Sequence, residues 1–335
     1  MTTAPGDDHE DYREVGDGSG PSLDETYIIE RTGPAGPVIG AGHEADEGVA
    51  AELYVERVGP PGAPTVYYIH GGPGYNAYSF RELVGDDLGD YDVIYADQRG
   101  GGRSHGATSL STTTLAQDVH AVLAALDVDR ATLLAHGFGA AIAVRAAVLR
   151  PELVERLVLV NPWLSMPLLA QALNDEARSL AGGTATQAGY DEEDAGPTVD
   201  DGPSSDPQAL VDEAFATVNP KVLFDSMEFP TAAGRLRLEH VDAVALAGDL
   251  TDEVPPGVWS LDELGTVGLL EAAGVPVVVL SGSKDRTSYP VQAEQALLRC
   301  PSALFSLLDA GHYPWIDDPE PFIEVLLQAL PAPRT

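Results

Sequence analysis

Six short apolar runs alternate with amphipathic segments along most of the chain. The runs comprise residues 66–69, 93–96, 131–135, 157–160, 275–280 and 303–308. Between them, apolar residues recur every three or four positions, which predicts helices at 113–126, 139–149, 290–298 and 319–330. Strands that are apolar throughout and alternate with helices are typical of a parallel sheet covered on both faces. The pattern therefore predicts an α/β fold, with ligands bound beyond the carboxyl ends of the strands.

The N-terminal part of the chain follows a different pattern. Residues 27–31 and 51–58 alternate apolar and polar side chains, which predicts an antiparallel strand pair. Residues 1–24 are acidic and contain few apolar groups, so we expect a disordered tail there. The predicted core domain therefore begins at about residue 25.

The alternation of strands and helices stops between residues 163 and 264. This stretch predicts helices at 168–180, 207–218 and 220–227, and it carries an acidic loop at 191–206. We interpret 163–264 as an inserted helical cap domain. The core would then be formed by residues 25–162 and 265–335.

The charge of the chain limits its partners. Lys and Arg number 18 against 53 Asp and Glu, which gives a net charge of −35. A surface this negative repels nucleic acids and anionic membranes, so both are excluded as partners. Such a surface is also typical of halophilic proteins, in which concentrated salt screens the self-repulsion.

The remaining composition predicts a cytoplasmic protein. Cys300 is the only cysteine, so an internal disulfide is excluded. The first 20 residues lack the basic and apolar regions of a signal peptide, and no apolar run reaches the roughly 18 residues of a membrane span. His, Cys, Asp and Glu show no metal-ligand spacing, so neither a metal nor a cofactor is predicted.

Glycine-rich segments follow the first two apolar runs. His70-Gly71-Gly72-Pro73-Gly74 comes directly after the first run, where glycines allow main-chain amides to approach a ligand closely. Asp97-Gln98-Arg99-Gly100-Gly101-Gly102-Arg103-Ser104 comes after the second run. Together, HGGPG and DQRGGGRS resemble the proline iminopeptidase branch of the α/β-hydrolase fold family, which acts on the N-terminal residues of peptides.

The resemblance implies a catalytic triad whose nucleophile is missing. Leu134-Ala135-His136-Gly137-Phe138-Gly139-Ala140 follows the third run and matches the family's nucleophile elbow, which places the nucleophile at position 137. That residue is glycine, so no acyl intermediate can form there. Asp285 and His312 follow the fifth and sixth runs and match the triad acid and histidine.

The resemblance also implies roles for the residues around the triad. The amides of Gly71, Gly72 and Phe138 would form the oxyanion hole. The side chains of His70, Tyr75 and His136 are candidates for contact with substrate, whereas those of Asp97 and Arg99 would shape the floor of the site. Proline iminopeptidases recognise a free amine through acidic groups near the cap, and Glu213, Glu228 and Glu239 are candidates that spacing alone does not distinguish.

The sequence is compatible with three functions. The chain is a hydrolase of the proline iminopeptidase type in which glycine replaces a serine of the natural gene, or a natural pseudo-enzyme that binds a small acyl or peptide ligand. Alternatively, it is a non-hydrolytic enzyme that uses the His312–Asp285 dyad as a general base. Ser79 and Ser104 are the candidate replacements for the missing nucleophile. The expected partner is a small molecule or short peptide.

Overall fold

The computed structural model describes residues 23–31, 51–105, 110–185, 206–245, 251–252 and 254–333. Most of the predicted acidic tail and acidic loop lies outside these residues. The first strand begins at Leu23, two residues inside the predicted tail, and Asp206 forms the N-cap of a helix at the end of the predicted loop.

An eight-stranded sheet forms the centre of the molecule. Its strands are, in chain order, β1 (Leu23–Arg31), β2 (Ala51–Gly59), β3 (Thr65–Ile69), β4 (Asp92–Ala96), β6 (Ala131–His136), β7 (Val154–Val160), β9 (Val277–Gly282) and β10 (Leu304–Leu308). Their spatial order is β1-β2-β4-β3-β6-β7-β9-β10. A separate two-stranded ladder joins β5 (Gly101–Gly102) to β8 (Thr251–Asp252).

The pairing pattern confirms the predicted fold class. Strands β1 and β2 are antiparallel, as expected from their alternation, and β2 is antiparallel to β4. Every pair from β4 to β10 is parallel. All residues of β4, β6 and β9 are buried, which explains why these strands are apolar nearly throughout.

Helices cover both faces of the sheet, and a second group of helices follows β7. Those of the core are α1 (Tyr78–Val84), α2 (Thr112–Ala125), α3 (Gly139–Leu149), α8 (Leu264–Val267), α9 (Leu270–Ala273), α10 (Val291–Arg299), α11 (Pro314–Asp317) and α12 (Pro319–Ala329). Those after β7 are α4 (Met166–Ala185), α5 (Pro207–Thr217), α6 (Pro220–Glu228) and α7 (Ala232–Ala245). Short 3-10 helices occupy Gly85–Leu88, Pro151–Leu153 and Val258–Ser260.

Local sequence signals explain several helix starts. The side chain of Ser111 caps α2 by accepting a hydrogen bond from the Thr114 amide. Asp206 and Asn219 cap α5 and α6 in the same way, and a proline follows each of them at the first helical position. Helix α7 was not predicted, because its sequence lacks a regular apolar stripe. Helices α4 to α7 lie between β7 and β9. The inserted cap domain and its boundaries remain a prediction.

Two apolar clusters pack on opposite faces of the sheet. One includes α3, whose alanines allow it to lie against the central strands, together with residues of α4 to α6. The other joins the opposite sheet face to α1, α11 and α12. Within the described residues, no helix is long and apolar enough to cross a membrane. The packing brings the loops at the carboxyl ends of β3, β6, β7, β9 and β10 together.

Candidate active site

Gly137 lies in the sharp turn between β6 and α3. Its φ of +51° is in the left-handed region, where a residue with a side chain is strained. Gly139 lies two residues later, and a Cβ there would be only 2.4 Å from the Ile69 carbonyl oxygen. The small residue at 139 therefore lets the first turn of α3 pack against the end of β3, as a nucleophile elbow requires.

The predicted acid and histidine meet beside this turn. The distance between His312 Nδ1 and Asp285 Oδ2 is 2.9 Å, and both side chains are buried. Because Asp285 accepts the Nδ1 proton, Nε2 is left as the basic nitrogen. A Cβ built on Gly137 would lie 3.2 Å from His312 Nε2. The basic nitrogen therefore faces the position from which a side chain at residue 137 would project.

Buried charges adjust the basicity of His312. Burial alone would lower the pKa of this imidazole, but the negative charge and hydrogen bond of Asp285, with a further contribution from Glu228, raise it above its usual value. The other carboxylate oxygen of Asp285 accepts hydrogen bonds from the Thr287 amide at 2.9 Å and the Thr287 hydroxyl at 2.5 Å. The acid is thus fixed at both oxygens.

Trp163 and Asn161 also position the dyad, although sequence reasoning assigned them no role. The Trp163 indole stacks on the His312 ring, and its main-chain amide donates to the Gly137 carbonyl oxygen at 2.9 Å. Asn161 has a φ of +44° and donates from Nδ2 to the carbonyl oxygens of Gly311 and His312 at 3.0 and 2.8 Å. Its Oδ1 accepts from the Gly282 amide at 2.7 Å. The sequence signal that could have identified Asn161 is its position as a polar residue directly after the apolar strand β7.

The loop that carries two of the predicted oxyanion groups also lies beside Gly137. A Cβ at residue 137 would be 3.7 Å from the Gly71 Cα, so the HGGPG loop runs alongside the elbow. Among the described residues, the main-chain amides of Gly71, Gly72 and Phe138 have no hydrogen-bond partner. These amides are therefore free to bind a carbonyl oxygen or a carboxylate.

The two histidines predicted to contact substrate are engaged within the protein. The Gln98 amide donates to His70 Nε2 at 2.9 Å, and His70 Nδ1 donates to the Gly71 carbonyl oxygen at 2.7 Å. His136 Nε2 donates to the His312 carbonyl oxygen at 2.9 Å. Burial lowers the pKa of both imidazoles, so both are neutral. This geometry favours loop positioning over substrate contact for His70.

Tyr75 connects the HGGPG loop to the helices that follow β7. Its hydroxyl donates to Asp242 Oδ1 at 2.6 Å and lies 2.7 Å from Ser79 Oγ. Burial raises the pKa of the Asp242 carboxyl, which belongs to α7. Ser79 in α1 is thus linked to Asp242 in α7 through the Tyr75 hydroxyl.

Glu228 differs from the other candidate acids near the cap. It is the last residue of α6 and only 7% exposed, and no described residue pairs with its carboxylate. Burial raises the pKa of this carboxyl to about 7, against the opposing effect of His312. By contrast, Glu213 pairs with Arg178 and Glu239 with Lys221 at the surface. The main-chain carbonyl of Glu228 accepts from the His312 amide at 2.8 Å, which places this residue next to the dyad.

The DQRGGGRS segment supports the floor of the site through buried ion pairs. Arg99 forms a bidentate pair with Asp118 at 2.6 and 2.7 Å, and Arg103 Nε donates to Asp97 Oδ2 at 2.7 Å. Ser104 is buried and donates to the Asp97 carbonyl oxygen at 2.7 Å, so its hydroxyl has a structural partner. The described residues contain no group of three or more His, Cys, Asp or Glu that could hold a metal ion.

Comparison with known proteins agrees with the fold of the chain. Residues 64–319 match a family model described as alpha/beta hydrolase fold. The crystal structure of a proline iminopeptidase-related protein from Thermus thermophilus is 34% identical, with a TM-score of 0.69, over 90% of this chain and 97% of that one. The proline iminopeptidase of Mycobacterium smegmatis shares the fold at 20% identity, with a TM-score of 0.59, over 90% of this chain and 97% of that one.

Curated relatives are named as a carbamate hydrolase, RutD. The protein of that name from Klebsiella pneumoniae strain 342 is 34% identical over 108 residues, which is 32% of this chain. The chain spans only 40% of the length of this relative. The one from Pseudomonas savastanoi pv. phaseolicola is 28% identical over 257 residues, or 74% of this chain and 88% of that protein.

Proposed function

Because this chain belongs to the α/β hydrolase fold family, we propose that it binds a short peptide, or a related small amide or ester, that carries a free amine. In the proposal, the ligand lies between the carboxyl edge of the sheet and the helices that follow β7. The protein would not cleave the ligand through a serine ester, because residue 137 is glycine.

One observation carries the proposal. His312 Nε2 faces residue 137, its Nδ1 is held by Asp285, and the amides of Gly71 and Phe138 lack partners among the described residues. This is the arrangement of a hydrolase that polarises a carbonyl group and activates a hydroxyl nucleophile. Without that hydroxyl, the same groups still favour binding of a carbonyl compound.

The carboxylate of Glu228 supports an amine on the ligand. A buried carboxylate without a hydrogen-bond partner is costly, and a ligand ammonium group would provide the missing partner. This acid also lies next to the dyad, which is where the first residue of a peptide would be if its carbonyl occupied the oxyanion site. The similarity to the Thermus thermophilus protein supports a peptide, whereas the RutD relatives make small carbamates worth testing.

Calorimetry tests this proposal directly. Dipeptides and arylamides of proline and alanine would be titrated in high salt, each beside its N-acetylated form, and small carbamates would be included. We expect the free amines to bind at least about 10-fold more tightly than the acetylated forms, since a charge-assisted hydrogen bond contributes about 1.5–3 kcal/mol. Glu228→Gln should remove this preference, and Glu213→Gln, which alters a surface acid, should keep it. Equal affinity for both forms would refute amine recognition.

A second candidate is a non-hydrolytic reaction with His312 as general base. The raised pKa of its imidazole and the partnerless amides beside it favour removal of a proton next to a ligand carbonyl, with the amides stabilising the enolate. Such a protein would exchange the ligand's α-hydrogen with deuterium from D₂O, and His312→Gln would abolish the exchange. Absence of exchange in a ligand shown to bind would exclude this candidate.

A further inference from the structure

The basic nitrogen of His312, Nε2, has no hydrogen-bond partner among the described residues. Its side chain is only 2% exposed, and Nδ1 makes the hydrogen bonds to Asp285 and Thr287. No residue that the structure describes donates a hydrogen bond to Nε2. The protein leaves this acceptor unused, so a ligand hydroxyl that reaches Nε2 would be stabilised by a hydrogen bond to it.

The elbow determines where such a hydroxyl would lie. The Cα–Cβ direction of residue 137 points toward Nε2, since a Cβ there would be 3.2 Å from that nitrogen and 3.7 Å from the Gly71 Cα. Because glycine has no side chain, a ligand atom can contact this side of the turn. A hydroxyl oxygen in contact with both Gly137 and Nε2 would also lie beside Gly71 of the HGGPG loop.

From this geometry we infer that the protein transfers an acyl group directly from a bound ester or amide to the hydroxyl of a second small molecule, without an acyl-enzyme. This inference rests on the proposed function, because the same cleft holds the acyl donor. It adds the acceptor site beside Gly137 and a class of second substrate, a small alcohol, with water as the competing acceptor.

The transfer balances with the groups present. His312 Nε2 accepts the proton of the alcohol R′–OH while its oxygen forms a bond to the carbonyl carbon of R–CO–X. The amides of Gly71 and Phe138 stabilise the oxyanion, the C–X bond breaks with its electron pair, and the imidazolium returns the proton to X. The products are R–CO–OR′ and HX. Asp285 keeps the imidazolium oriented and stabilised throughout.

The experiment uses the full chain with p-nitrophenyl acetate as donor and methanol as acceptor in concentrated salt. Release of p-nitrophenolate is followed by absorbance, and methyl acetate and acetate are quantified by NMR against a reaction without protein. We expect release to rise with methanol until it saturates. The ratio of methyl acetate to acetate should exceed that of the uncatalysed reaction at least about 10-fold, since general-base catalysis typically contributes about 10²–10⁴.

Three variants make the result specific to this site. Gly137→Ala adds the Cβ beside Nε2 and should reduce methanol-dependent release at least about 10-fold, as should His312→Gln, which removes the base. Gly137→Ser should instead form an acetyl-enzyme, which would be visible by mass spectrometry and absent from the unsubstituted protein. Circular dichroism would confirm that each variant is folded.

Certain results would overturn the inference. A product ratio equal to that without protein would do so. An acetyl adduct on the unsubstituted protein during turnover, or full activity of folded Gly137→Ala, would also do so. Calorimetry with the free-amine ligands distinguishes failure of the transfer inference from failure of the proposed function. If those ligands bind but methanol has no effect, only the transfer inference fails.

Discussion

The indole ring of Trp163 stacks on the imidazole ring of His312, with 4.9 Å between their centroids and 25° between their planes. The same indole donates its Nε1 proton to Thr287 Oγ1 at 2.9 Å, and Thr287 donates to Asp285. One side chain therefore contacts the base directly and reaches its acid partner through a single hydroxyl. These contacts hold Nε2 toward Gly137.

Variants of Trp163 distinguish its stacking on His312 from its hydrogen bond to Thr287. Trp163→Phe keeps a ring against His312 but loses the hydrogen bond, and Trp163→Leu loses both. In a Gly137→Ser background with measurable turnover, we expect Trp163→Leu to lower kcat by about 10–10²-fold, because small misplacements of catalytic groups have effects of this size. Trp163→Phe should have a smaller effect, and KM should change little in either case. A rise in KM with unchanged kcat would contradict a positioning role.

Replacing Gly137 by serine should confer hydrolysis at a cost in stability. The φ of +51° is strained for any side chain, and His312 Nε2 must shift slightly to accommodate the new Cβ. We therefore expect both Gly137→Ser and Gly137→Ala to lower the free energy of unfolding by about 1–3 kcal/mol. Only the serine variant should gain turnover of aryl esters or arylamides, by about 10³-fold or more. Equal activity in the serine and alanine variants would show that the surrounding geometry does not support a triad.

The buried carboxyl of Glu228 makes stability depend on pH. Burial raises its pKa from 4.5 to about 7, so its contribution to stability is complete below pH 4.5 and is lost as pH rises through about 7. This shift corresponds to about 3 kcal/mol. Urea unfolding at pH 5 and pH 8 should show that Glu228→Gln gains stability relative to the unsubstituted chain at the higher pH. The same gain in Glu213→Gln would attribute the effect to general charge reduction instead.

Asn161 should be important for the stability of the site. Its side chain makes three hydrogen bonds, to Gly311, His312 and Gly282, and its backbone has a positive φ. We expect Asn161→Gly to cost about 2–4 kcal/mol, because several buried main-chain groups lose partners. Asn161→Ala should cost more, since it adds backbone strain to the same loss. Thermal unfolding measures both, and a stability equal to that of the unsubstituted chain would refute the role.

The net charge predicts that stability depends on salt. With 53 acidic and 18 basic side chains, self-repulsion is screened only when salt is concentrated. We expect the melting temperature to rise as NaCl increases from about 0.1 M to about 2 M, with most stability lost below about 0.5 M. Sucrose at matched osmolarity is the control, because it leaves charges unscreened. A melting temperature that does not change with salt would contradict the halophilic interpretation.

The sequence by itself determined the fold and the residues of the dyad. The apolar runs indicate buried strands, because fully buried parallel strands exclude polar residues that would lack partners. The glycine-rich motifs that follow some of the runs indicate where those strands end. Asp285, His312 and Gly137 could be identified because the short motifs after these runs resemble those of the proline iminopeptidase branch, and the structure brings all three together. These signals are local, so they can be recognised without knowledge of the packing.

Only the tertiary structure decided which other side chains reach the dyad. Asn161 and Trp163 follow β7, Thr287 follows β9, and Glu228 ends α6, so no spacing in the sequence relates these three segments. Spacing also could not distinguish Glu228 from Glu213, since the two differ in burial rather than in residue type. Burial and the absence of a partner are properties of packing between distant segments. They determine the pKa of each carboxyl, and a linear pattern does not record them.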